Sequence, residues 1–136
     1  MDRRLFELIL SVKRKCQANE DKIQTELGLT PGEFNGLLSL YPLDRITGGE
    51  FSARMGLSPS RGSRVLTNMM KKGFVNAETA SDNRRTVFVT LTETGKGMKH
   101  KIEARMETCE TRICSHFEDC QIDQIKQSLL MLEKAL

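Results

Sequence analysis

Residues 57–75 read LSPSRGSRVLTNMMKKGFV, and this stretch decides the fold. Ser58 supplies an N-cap hydroxyl, Pro59 suits the first helical position, and Gly73 suits a C-terminal stop, so the segment predicts a helix over Ser60–Lys72. Placed about 100° apart around the axis, Gly62, Val65, Leu66, Met69 and Met70 share one side. Ser60, Arg61, Ser63, Arg64, Thr67, Asn68 and Lys71 share the other. That second face carries hydroxyls, an amide and cations, and no acid.

Upstream, Thr47-Gly48-Gly49-Glu50 repeats the cap chemistry and predicts a short helix to Met55, stopped at Gly56. Thr30-Pro31-Gly32-Glu33 opens another, running to about Leu40 before Tyr41-Pro42 closes it. Downstream, Phe74–Thr79 and Thr86–Leu91 alternate at period two and read as hairpin strands. The connection Ala80-Ser81-Asp82-Asn83-Arg84-Arg85 is polar and carries two arginines. Two short helices joined at Gly56-Leu57 and followed by a hairpin describe a winged helix-turn-helix, with the Ser60–Lys72 helix as the recognition helix.

The ends are helical. Leu5, Leu8, Ile9, Val12, Cys16, Ile23 and Leu27 recur at helical steps and predict an amphipathic helix ending near Gly28. Thr92 caps another, whose apolar line Met98, Ile102, Met106, Cys109, Ile113 and Phe117 keeps helical spacing. Ile122, Ile125, Leu129, Leu132 and Leu136 then form a seam suited to helix packing. The fold class is mostly α, formally α+β. Residues 30–97 form the winged helix-turn-helix, and residues 1–29 and 98–136 form a helical dimerisation region, because unpaired seams of this length would expose large apolar strips.

At 136 residues, 38% hydrophobic and 29% charged, the chain has material for one ordinary core and not for two full domains. No apolar run approaches the 18 residues of a membrane span. The run from Leu8 to Val12 is cut off by Lys13, Arg14 and Lys15, which argues against a signal peptide and for a cytoplasmic protein. Only two histidines, His100 and His116, are available for acid–base chemistry, which disfavours an enzyme. Nothing in the sequence calls for a cofactor.

Charge is uneven along the chain. Residues 54–85 hold Arg54, Arg61, Arg64, Lys71, Lys72, Arg84 and Arg85 against Glu78 and Asp82, a net +5, whereas residues 103–136 are −3. A localised basic segment is the footprint expected of nucleic-acid binding. On the recognition helix, Ser60, Arg61, Ser63 and Arg64 lie in the first turns, where base edges and phosphates are within reach, and arginine matches the O6/N7 edge of guanine. Asn68 and Lys71 lie further along, where phosphate contact is expected.

Leu57-Ser58-Pro59-Ser60-Arg61-Gly62-Ser63-Arg64, Lys71-Lys72-Gly73-Phe74-Val75, Asp82-Asn83-Arg84-Arg85 and Leu91-Thr92-Glu93-Thr94-Gly95 together resemble the MarR family of bacterial transcription regulators in order and spacing. The resemblance covers residues 30–97. It implies an obligate homodimer interlocked through the first and last helices, two winged domains on one near-palindromic double-stranded DNA operator, and repression relieved by a small-molecule effector. It also implies that Arg84 enters the minor groove with Asp82 holding it, and that Arg85 meets phosphate. Gly62 departs from the pattern, standing where these helices usually bury a branched apolar residue. Either the two helices approach more closely there or the recognition helix is looser.

Cys109, Cys114, His116 and Cys120 crowd into twelve residues and raise the alternative of a metal-sensing regulator. Their spacing is poor: Cys109 and His116 lie about 10 Å apart along one continuous helix. The favoured reading treats Cys109 and Cys120 as small buried hydrophobes. Cys16, beside Lys13, Arg14 and Lys15, is a candidate redox switch, although its place on the apolar line favours core packing. The remaining alternative, a winged-helix protein-interaction module without DNA binding, is opposed by Arg61, Arg64, Arg84 and Arg85.

Overall fold

The computed structural model describes residues 2–80 and 82–136, the side chains of Asn83 and Arg84 excepted. The chain divides into two compact units, Met1–Ile102 and Glu103–Leu136. The first holds α1 (Leu5–Leu27), α2 (Pro31–Ser39), β1 (Ile46–Thr47), α3 (Gly48–Arg54), α4 (Pro59–Lys71), β2 (Val75–Ala80) and β3 (Asn83–Leu91). Helix α5 (Glu93–Cys114) begins there and ends in the second unit, which also holds α6 (Asp119–Ala135).

Local chemistry sets the helix ends. The Glu33 N–H donates to the Thr30 hydroxyl while the Thr30 N–H donates to the Glu33 carboxylate, a complete capping box. Thr47 and Ser58 each accept from the amide three residues on, at the starts of α3 and α4. Such caps contribute about 1 kcal/mol each. Gly56 and Gly73, at φ +69° and +75°, close the segments before and after α4 in a left-handed conformation that a Cβ would strain.

The core of the first unit gathers Phe34, Leu37 and Leu40 after α2's first turn, Phe51 of α3, Met69 of α4, Phe74 and Val75, Val89 and Leu91 of β3, and Ile102 of α5. Helices α2 and α4 meet closely: a Cβ on Gly36 would lie 2.5 Å from Met69 Sδ, and one on Gly32 2.9 Å from Val65 Cγ2. Lys99 of α5 is buried and donates to the Leu37 carbonyl at 3.2 Å, satisfying an otherwise orphaned carbonyl at the end of α2.

Several boundaries differ from the sequence expectation. The sheet has three antiparallel strands in the order β1-β3-β2, with Ile46 opposite Val89 and Thr47 opposite Phe88. Strand β1 is two residues long, too short to show a period. The connection between β2 and β3 is shorter than expected, because Ala80 pairs with Asn83. Between the Thr79–Val87 and Ala80–Asn83 pairs the register shifts, so Arg84, Arg85 and Thr86 form a bulge in β3. Met70, expected on the packed side of α4, is exposed.

In the second unit, α5 stops at Cys114, so Phe117 is not on it. The Phe117 N–H bonds back to the Cys114 carbonyl in a turn, and α6 restarts behind Glu118 as N-cap. The Glu118 N–H donates to the Gln121 side chain, the cap signal that ends the apparent periodicity. Among the described residues no helix is long and apolar enough to cross a membrane.

Candidate nucleic-acid interface

The polar side of α4 stands clear of the fold. Ser60, Arg61, Ser63, Arg64, Thr67, Asn68 and Lys71 are all exposed, while Gly62 and Met69 are buried and Val65 and Leu66 half-buried. Among the described residues Arg61, Arg64 and Lys71 make no ion pair, so their donors face solvent. Two hydroxyls are partly committed: Thr67 donates to the Ser63 carbonyl at 2.9 Å, and Ser60 Oγ lies 3.4 Å from the Ser58 cap hydroxyl. Thr67 is thereby tied to its own helix.

The helix is held by its approach to α3. A Cβ on Gly62 would lie 1.8 Å from Ser52 Oγ and 3.1 Å from Ser52 Cα. Ser52 is itself buried, with its hydroxyl donating to the Gly48 carbonyl at 3.0 Å. The departure at Gly62 is thus a close approach of the two helices, not a loosening.

At the wing, Asp82 and Arg85 are exposed, and Arg85 borders a cleft of about 460 Å³ that it shares with Ser63 and Pro59 of α4 and Thr47 at the start of α3. The expected Arg84 contact falls on a side chain outside the described residues. The guanidinium of Arg45, just before β1, stacks 3.9 Å from the Phe88 ring centroid and braces the root of the wing. Sequence reasoning missed this pair, since no periodicity links residues 45 and 88.

Not all of the basic segment faces outward. Arg54 donates to Asp44 at 2.7 Å and to the Ser39 carbonyl at 2.9 Å, and Lys72 donates to Glu33 at 2.8 Å. The outward charge on α4 is therefore that of Arg61, Arg64 and Lys71. Burial pushes the Glu33 carboxyl up, but hydrogen bonds from Lys72 and Thr30 and the Lys72 charge outweigh it and hold the carboxyl below the usual glutamate range. A carboxyl lowered in the folded state stabilises the fold above its unfolded value, and that contribution is lost as pH falls through the folded value. Urea midpoints should therefore show Glu33→Gln less stable than wild type at neutral pH, with the gap closing on acidification below pH of about 4. A gap unchanged by acid contradicts the ionised pair.

The cysteines are spread out. Cys16 and Cys120 are exposed and Cys109 and Cys114 half-buried, so the expected burial of Cys16 and Cys120 is not met within the chain. The Arg112 guanidinium lies 3.8 Å from Cys109 Sγ. Among the described residues no three His, Cys, Asp or Glu side chains converge as a metal site, and Cys109, His116 and Cys120 are not brought together.

With a capped recognition helix, an acid-free exposed face and a three-stranded wing in place, the chain resembles one family of known proteins. The family model described as MarR family matches residues 29–87. That match spans 59 of the 136 residues, from just before α2 into β3. It is 22% identical over 125 residues to the transcriptional repressor MprA of Escherichia coli, covering 90% of this chain and 71% of that protein. It is 27% identical over 112 residues to YsmB of Bacillus subtilis, an uncharacterised regulator of helix-turn-helix type, covering 82% and 77%. Among solved structures, a MarR-like transcription regulator from Bacillus cereus superposes with a TM-score of 0.80 at 22% identity, covering 97% and 95%. A variant of Staphylococcus aureus MepR bound to an oligodeoxyribonucleotide superposes with a TM-score of 0.69 at 16% identity, covering 98% and 99%. The relatives that it matches by sequence are described as transcriptional regulators.

Proposed function

We propose that this chain is a regulator of the MarR family: a homodimeric, sequence-specific repressor in the cytoplasm that occupies a near-palindromic double-stranded operator and is released by a small-molecule effector. The observation that carries the reading is the exposed, acid-free face of α4 between its Ser58 cap and Gly73. Arg61 and Arg64, with Ser60 and Ser63, read base edges in the major groove, and Asn68 and Lys71 meet phosphates. At the wing, Arg84 enters the minor groove beside Asp82, and Arg85 meets phosphate.

Residues 30–97 are the DNA-binding domain and residues 1–29 and 98–136 the dimerisation region. Exposed apolar side chains on both ends support this: Leu5, Phe6, Leu8 and Val12 on α1, and Ile125, Leu129, Leu130 and Met131 on α6. A second copy covers such surface, and sedimentation should return twice the chain mass. Twofold symmetry then sets half-sites about one helical turn apart.

Arg84→Ala tests the wing. The variant is expected to lose at least roughly tenfold in operator affinity at matched salt, with an unchanged urea midpoint, because one minor-groove contact per half-site is removed. Unchanged affinity by fluorescence anisotropy removes the minor-groove role.

A further inference from the structure

Lys71 and Lys72 are adjacent in the sequence and look equivalent as members of the basic segment, but the fold treats them differently. Lys71 is exposed and makes no ion pair among the described residues. Lys72 turns inward. Its Nζ donates to Glu33 Oε1 at 2.8 Å, stands at ion-pair distance, 2.8 Å, from Oε2, and donates to the Gly28 carbonyl at 3.1 Å. The three groups come from the end of α4, the first turn of α2 and the residue that closes α1.

Glu33 is 1% exposed, and its Oε1 is also the acceptor of the α2 capping box. Swinging Lys72 out toward a phosphate would leave that buried carboxylate unpaired, a heavily penalised state. An ammonium has three donors, and two are already committed to fixed acceptors. Lys72 thus spends its charge within the fold.

We propose that Lys72 is a positioning residue, tethering the C-terminal end of the recognition helix to the turn that closes α1, so that it sets the presentation of α4 to DNA without touching DNA. The proposal rests on the DNA-binding reading above. Helix α1 belongs to the proposed dimerisation region, so the tether links the end of a dimer helix directly to the recognition helix. What it governs is the fit of the dimer to half-site spacing.

The test compares wild type with Lys72→Met, Glu33→Gln/Lys72→Met and Lys72→Arg as full-length protein. The double variant guards against misfolding, because glutamine keeps the cap acceptor and leaves no buried charge. Three readouts are taken: amide exchange in the free protein, the salt dependence of operator binding, and affinity for operators with half-sites moved by one base pair either way. In the double variant, amides in residues 24–29 and 68–74 should lose protection together by about tenfold or more. Operator affinity should fall about tenfold with an unchanged salt slope, the spacing preference should broaden, and Lys72→Arg should restore both.

A phosphate contact gives the opposite pattern: the salt slope drops by roughly 0.9 per lysine lost, with exchange and spacing unchanged. That result overturns the proposal, as does a double variant indistinguishable from wild type in all three. Should wild type bind no duplex, the DNA reading falls by that result alone. The exchange pattern then still decides the tether, upheld by coupled loss of protection and overturned by none.

Discussion

Gly62→Ala is expected to destabilise the protein by about 2–3 kcal/mol and to weaken DNA binding with it. Two effects oppose each other. Alanine is a better helix former than glycine by about 1 kcal/mol, and on an open face that gain would decide the sign. At position 62 the new Cβ meets Ser52 Oγ at 1.8 Å, Cβ at 2.5 Å and Cα at 3.1 Å. Rotating the hydroxyl away does not relieve the last two contacts. It also breaks the bond to the Gly48 carbonyl, leaving a buried hydroxyl unsatisfied at about 1–3 kcal/mol. Helices α3 and α4 must separate, and overpacking of this kind typically costs 1–3 kcal/mol, occasionally more. Urea titration measures the outcome, and Ser52→Gly in the same chain should recover part of the loss. A Gly62→Ala variant at least as stable as wild type contradicts the close helix approach.

Arg64→Ala carries the second large effect. Arg64 is exposed in the second turn of α4, on the face that holds no acid, so the arginine's fork of donors is free for the O6/N7 edge of guanine. A base contact of this kind is worth about 1–3 kcal/mol, and a twofold dimer loses it in both half-sites, so the operator complex weakens by roughly 2–6 kcal/mol. The loss is confined to the cognate site: affinity for operators changed at one symmetry-related pair of positions should be nearly the same in variant and wild type. Anisotropy titrations over single-base operator variants separate this from a phosphate contact, which weakens all sequences alike and lowers the salt slope.

Helix starts were legible because their chemistry is local. Thr30 with Glu33, Thr47 and Ser58 each announce a cap within four residues, and each cap forms. What was illegible depends on partners far away in the chain. Strand β1 exists because Ile46 and Thr47 lie against β3, and two residues alone show no alternation. The bulge at Arg84–Thr86 is a register shift between strands, which the β-rich composition of either strand does not encode. Phe117 keeps helical spacing with Ile113 by coincidence, while the Glu118–Gln121 cap beyond it ends the helix.

The candidate site divides the same way. The polar face of α4 followed from the 100° rotation per residue alone, and all seven of its side chains are exposed. Gly62 showed in the sequence only as a departure, and its meaning required Ser52 from another helix. The separation of Lys71 from Lys72 needed Glu33, 39 residues away. Met70 shows the limit of a helical wheel: it shares a side with Met69, yet Met69 is fully buried and Met70 exposed, because the neighbouring elements cover only part of that side.

The measurement that bears most directly on the central claim is an anisotropy titration of the reduced protein on the DNA upstream of its own gene, with excess nonspecific competitor and a salt series. Tight binding that survives competitor, with a steep salt slope, is the result that the proposed reading predicts, in which α4 reads bases while Lys71 and Arg85 meet phosphates. Binding that disappears with competitor there and on every duplex drawn from a randomised pool contradicts a sequence-specific regulator and leaves α4 without bases to read.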